Sequence, residues 1–451
     1  MVWKPVYILL IVFSCGIDYY CGLKMGDLPD KKARKPYLML SLISNLTVLG
    51  IFKYYNFFAH SMNDLFAALN MDYMMQVANL VLPWGISFYT FQALSYSLDV
   101  YKGRYKPERR VGIFSLYVIF FPQLVAGPIE RASHLIRQFH FNTKFQWSNM
   151  VTGCRLILLG LFKKVVVADQ LSPLVSHVYG NPEGAQGISV YIASVLFAQQ
   201  VYCDFSGYSD MARGSARLLG VDLMENFKLP FFAKSYVNFW SQWHVSLMNW
   251  FKDYILFPLV KKGWSWPPVF MLIFLISGVW HGANWTFIVW GLVNGLLVLY
   301  SRSTLEFRGK ILDRMGLAGY TGLRNAVQSF CVFNLFALGA VFFRAANIGD
   351  SGILISNLWS GLAGSLKAVW FNYEGSRQNM LFMGQDAVSF LAVIACVFLL
   401  ECFQWQQRNR TVDEILNGMK RPLRFGLYIF VVLVVIFMSN VAETPFIYFQ
   451  F

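Results

Sequence analysis

The chain has 451 residues, of which 56% are hydrophobic and only 14% charged, with a mean hydropathy of +0.46 and a formal charge of +14. That balance excludes an ordinary soluble protein. Nucleic acid is excluded as a partner because the basic residues sit in short loops between apolar runs instead of forming one basic face. Seven scattered cysteines without a CxxC or Cys/His cluster exclude a disulfide framework and a structural metal site.

Apolar runs of bilayer-crossing length recur throughout, and they predict an all-α, polytopic integral membrane protein with about ten to twelve embedded segments in a single domain over 1–451. The first run, beginning near Pro5, shows no small-residue cleavage pattern and leads to the cluster Lys24, Lys31, Lys32, Arg34 and Lys35. With that cluster in the cytoplasm, Pro36–Phe57 crosses outward and the Lys- and Arg-free stretch from His60 to Gln76 lies outside. Leu80–Tyr101 then returns to Lys102, Arg104, Lys106, Arg109 and Arg110. Later, the basic loops at Arg302–Arg324 and Arg408–Arg424 fall on the same side. The segment from Asn347 to Asp386 between them is expected outside. This arrangement puts the start of the chain outside, so spans upstream of Met1 are expected to be missing.

Trp280-His281-Gly282-Ala283-Asn284-Trp285 interrupts the apolar run from Pro268 to Tyr300. Thirteen helical residues reach only about 20 Å, against a hydrocarbon core of about 30 Å. His281 is therefore expected at the tip of a hairpin that stops short of the far surface. An ionisable group at that depth marks a functional site, although a core histidine bonded to a neighbouring carbonyl fits this stretch equally well. Upstream, Trp240, Trp243, His244, Leu247 and Trp250 recur at helical spacing, with Ser241, Gln242, Asn249 and Lys252 opposite. The pattern predicts one amphipathic helix at an interface or a cavity wall. Asp204, Asp210, Arg213, Arg217 and Glu225 follow an apolar span; they read as a solvated loop or as a rim for an anionic donor.

Trp280-His281-Gly282, preceded by Trp240-x-x-Trp243-His244-x-Ser246-Leu247, resembles the membrane-bound O-acyltransferase superfamily, and within it the bacterial alginate O-acetyltransferase branch. Leu82–Phe91, Phe121–Ile129, Tyr202–Asp210, Glu225-Asn226-Phe227 and the closing Phe446–Phe451 extend the likeness along nearly the whole chain. The chain departs from relatives at Gln242, where Arg is common. The resemblance implies helices around a central pore, with His281 and His244 as the catalytic pair. Trp240, Trp243, Trp280, Asn284, Ser277, Asp204, Tyr208 and Arg213 are then the candidates for lining the substrate path. Asn284, Ser277 and amides near Gly282 are the candidate oxyanion donors.

The implied reaction moves an acyl group, with acetyl favoured by the resemblance, from a cytoplasmic donor across the membrane to an extracytoplasmic polysaccharide. No permanently bound cofactor is expected. Acetyl-CoA or an acyl-carrier thioester serves as substrate, and a separate esterase-fold protein as partner, in the inner membrane of a bacterium. The alternatives are D-alanyl transfer to teichoic acids and a non-catalytic export component; the sequence lacks the paired internal repeats usual in transporters, which weighs against the latter.

Overall fold

In the computed structural model the described residues are 5–141, 143–316, 319–371, 376–439 and 446–447. Every element among them is helical, and they group into two compact units. One comprises residues 1–150 with 215–224, the other 151–214 with 225–451.

In the first unit, helices α1 (Ile8–Asp27), α2 (Lys31–Leu49) and α3 (Ile86–Tyr101) pack together. At their centre the fully buried Asp18 accepts hydrogen bonds from the Ser41 hydroxyl (2.5 Å) and from Asn45 Nδ2 (3.0 Å to each oxygen). The expected span Leu80–Tyr101 is shorter than the sequence suggested. Pro83 lacks a backbone donor and Gly85 adopts a left-handed φ of 81°, so the helix starts only at Ile86.

In the second unit, α4 (Gly187–Leu218) is the central helix. Its most apolar stretch is 78% buried. Two short helices, α5 (Tyr236–Trp240) and α6 (Val245–Phe251), precede the hairpin of α7 (Trp266–His281) and α8 (Trp285–Ser303). Then come α9 (Thr321–Arg344), α10 (Ile348–Phe371), α11 (Ala387–Gln407) and α12 (Arg421–Met438). Seven helices among the described residues are long and apolar enough to cross a membrane, and α7 is a shorter apolar one. The sequence expectation of ten to twelve embedded segments exceeds these seven spanning-length helices and one shorter one among the described residues. The segment from Asn347 to Asp386, expected outside, is largely helical. It holds the 24-residue α10, whose start is capped by Asn347 Oδ1 accepting from the Asp350 amide (2.9 Å).

The hairpin is tight because glycines meet across it. A Cβ on Gly278 would strike the Phe287 carbonyl and the backbone of Gly291, and one on Gly291 would strike the Phe274 carbonyl. Sixteen residues give α7 a length of about 24 Å, still short of the hydrocarbon core.

Candidate functional site

His281 is the last residue of α7, and Gly282 leaves the helix in extended conformation (φ −157°, ψ 151°). Asn284 restarts the chain as the N-cap of α8, accepting from the Thr286 amide at 3.1 Å. Its Nδ2 donates to the Ala346 carbonyl at 2.9 Å. The Asn284 amide therefore caps α8 through its oxygen and ties the turn to Ala346 through one N–H of Nδ2. Ser277, 1% exposed, lies one turn before His281 on the same face of α7.

The stretch around His244 is not the single amphipathic helix expected. It breaks after Trp240, turns, and restarts at Val245. His244 sits at the junction in the left-handed region (φ 45°, ψ 52°). A non-glycine residue there is strained, and such strain collects at functional sites. The predicted aromatic face is nonetheless buried, with Trp240, Trp243, His244, Leu247 and Trp250 all under 9% exposed. Trp240 packs on Phe274 and Trp290, and Trp243 on Phe227 and Phe239. These tryptophans are core, not an interfacial belt.

One residue that motif reading passed over holds His244 in place. Asn226 Oδ1 accepts from the Ser246 amide (3.2 Å) and the Ser246 hydroxyl (2.8 Å), and lies 3.3 Å from His244 Nδ1. The backbone donor identifies that atom as the amide oxygen, so Nδ1 must carry the proton and Nε2 the lone pair. The Asn226 carbonyl accepts from the Val245 amide as well (2.9 Å). The only sequence signal for this clamp was Asn226 within the Glu225-Asn226-Phe227 landmark. Burial pushes the His244 imidazole down to about 3, so it is neutral near pH 7.

Trp280 joins the two histidines. Its ring centroid is 5.9 Å from that of His244 and 4.9 Å from that of His281. Trp290 (5.0 Å) and Phe343 (5.3 Å) enclose His281, and Phe205 (4.7 Å) stands edge-on to His244. The imidazoles are 1% and 4% exposed for His244 and His281. They share one aromatic enclosure.

The acidic and basic residues of α4 do not lie in a loop, since residues 204–217 continue the helix. Asp204, 3% exposed, pairs with Lys164 (2.7 Å) and accepts from the Ile447 amide (2.7 Å). The Tyr208 ring lies 5.1 Å from that of Phe446. These two candidates hold the Phe446–Ile447 segment beside Phe205. The rest of the closing motif, residues 448–451, lies outside the described residues. Arg213 stands between Asp210 (3.6 Å) and Glu225 (3.5 Å).

Residues 112–333 match the model of the membrane-bound O-acyltransferase family. The chain is 33% identical over 350 residues to the probable alginate O-acetylase AlgI of Pseudomonas aeruginosa, covering 77% of this chain and 65% of that protein. It is 31% identical over 396 residues to a peptidoglycan O-acetyltransferase of Helicobacter pylori, covering 80% and 72%. Identity to a teichoic acid D-alanyltransferase of Bacillus subtilis is 28% over 241 residues, covering 49% and 59%. The chain spans about two thirds of the length of the alginate-type relatives it matches. With one such relative matched at 34% identity over 77% of the chain and 67% of its own length, this polytopic membrane protein belongs to the membrane-bound O-acyltransferase family.

Proposed function

We propose that the protein transfers an acetyl group from a cytoplasmic thioester, acetyl-CoA or an acyl carrier, toward a polysaccharide outside the membrane. The observation that carries this reading is the pair of enclosed imidazoles bridged by Trp280, His281 at the tip of the short apolar hairpin and His244 at the junction of α5 and α6. In the proposed step, neutral His281 accepts the proton of an attacking hydroxyl as that oxygen adds to the thioester carbonyl. The tetrahedral intermediate then collapses, the C–S bond breaks, and the imidazolium returns its proton to the leaving thiolate. His244, fixed by Asn226, orients the acyl group or its acceptor from the other side of Trp280. The aromatic wall keeps water from the reactive ester, and the pore through which the acyl group passes opens by movement of that wall.

Acetyl transfer is preferred to D-alanyl transfer because the acetylating relatives match about four fifths of the chain at 31–33% identity and the D-alanyl relatives 49% and 61% of it at 28% and 26%. A separate extracytoplasmic esterase-fold protein completes delivery to the glycan, and the bacterial inner membrane is the site of action. The test is acyl transfer from a radiolabelled thioester by purified His281→Ala protein in nanodiscs. A loss of about 10²–10⁴-fold is expected for removal of a general base. Wild-type turnover by a folded variant would remove His281 from the mechanism.

A further inference from the structure

Away from the histidines, the second unit contains a cavity of about 500 Å³ walled by α4, α9 and α11. Its inner wall carries Gln199 and Glu401, and its aromatic sides include Phe231 and Phe333. Lys234 and Arg408 line it as well, both on exposed residues. Arg408 directly follows the span Ala387–Gln407, so this opening lies at the level where a membrane meets water.

Three features define an occupant. First, neither Lys234 nor Arg408 has a carboxylate within ion-pair distance among the described residues. Arg408 stacks instead over Trp405 (4.4 Å) and Phe232 (5.6 Å). Elsewhere in this unit Arg324 (with Asp313, 3.3 Å) and Arg213 (with Asp210, 3.6 Å, and Glu225, 3.5 Å) are paired. Two such cations beside one cavity suit an external anion. Second, the inner wall offers acceptors. Gln199 gives its Nε2 to Glu401 (3.2 Å), but its Oε1, on a residue 8% exposed, has no partner among the described residues. A buried acceptor left unmet costs about 1–3 kcal/mol, and with Glu401 beside it the wall repels a bare phosphate and favours a hydroxyl donor. Third, Phe330 and Trp405 line the same cavity and are 64% and 60% exposed, giving apolar chains a surface on which to lie.

We infer that this cavity binds the phosphoglycerol headgroup of an acidic phospholipid, with the phosphate on Lys234 and Arg408 and the terminal glycerol hydroxyls on Gln199 and Glu401. The acyl chains run out over Phe330 and Trp405 into the bilayer.

Native mass spectrometry of the full chain, offered phosphatidylglycerol or phosphatidylcholine in detergent, tests this. The wild type should retain one phosphatidylglycerol with about tenfold or greater preference, the scale expected of two cations near a membrane surface. Lys234→Gln with Arg408→Gln should abolish the preference. Lys310→Gln with Arg314→Gln, the same charge change outside the cavity, should keep it, and equal loss in both would overturn the site. Gln199→Leu keeps both cations and should also lower retention. It decides alone if the double variant fails to purify, and unchanged retention would overturn insertion of the headgroup. Displacement of the lipid by soluble glycerol 1-phosphate at comparable concentration would overturn the lipid as the ligand and assign the site to a water-soluble phosphoglycerol.

Discussion

Two imidazoles in one aromatic enclosure have different supports, and the difference is testable. His281 is placed by the end of a helix, whereas His244 is held in a left-handed conformation by Asn226. Asn226→Leu removes an acceptor shared by His244 and Ser246, leaving buried donors unmet at about 1–3 kcal/mol. It is expected to lower kcat by roughly ten- to a hundredfold with KM little changed. A variant losing only stability, with kcat intact in the folded fraction, would make the clamp purely structural. His244 also makes stability depend on pH. Its folded-state value, about 3, lies below the ordinary 6.5. The unfolded chain therefore takes up a proton between those values, and the contribution to stability is lost as the pH falls from about 6.5 toward 3. Melting temperatures measured across that window should fall, and His244→Phe should show a shallower fall than wild type.

At the scale of elements, the hairpin and the polar knot of the first unit carry the sharpest expectations. Gly278→Val puts side-chain atoms into the Phe287 carbonyl and the facing backbone of α8. The helices must separate, and His281 moves with the end of α7. Activity should be lost even where the protein still inserts, and a variant with normal activity would show that the close approach is dispensable. Asp18→Ala leaves Asn45 Nδ2 without its carboxylate partner. It should lower the melting temperature of the membrane-embedded protein, while Asp18→Asn, which keeps an acceptor, should cost less. An Asp18→Ala protein as stable as wild type would remove the knot from the account of the first unit.

Across the whole molecule, the basic loops give one consistent orientation. Within the second unit, Gln199 meets Glu401 and Tyr202 meets Gln404 (3.1 Å), so α4 and α11 run in the same direction. The end of α4 that carries Arg213 and Arg217 therefore points the same way as Arg408. Lys31–Lys35, Lys102–Arg110, Arg302–Arg314 and Arg408–Arg424 are all expected to face the cytoplasm. Single cysteines placed there should resist a membrane-impermeant reagent in intact cells. Labelling of one such loop from outside would overturn the assignment.

Composition and the order of apolar runs were enough to determine a helical membrane protein. The residues Trp280-His281-Gly282 within a run too short to span were enough to place a histidine at a hairpin tip. Both follow from local rules, the transfer cost of polar groups into hydrocarbon and the rise of a helix per residue. Only the tertiary structure decided that the predicted helix over 240–250 is two helices broken at His244, because Asn226, 18 residues away, supplies the hydrogen bonds that stabilise the left-handed turn. Only it decided that Asn284 is a cap and that Asp204 anchors Ile447, 243 residues distant. Hydrogen-bond partners far apart in sequence leave no periodicity to read. Such contacts form only once the packed helices have brought both ends together.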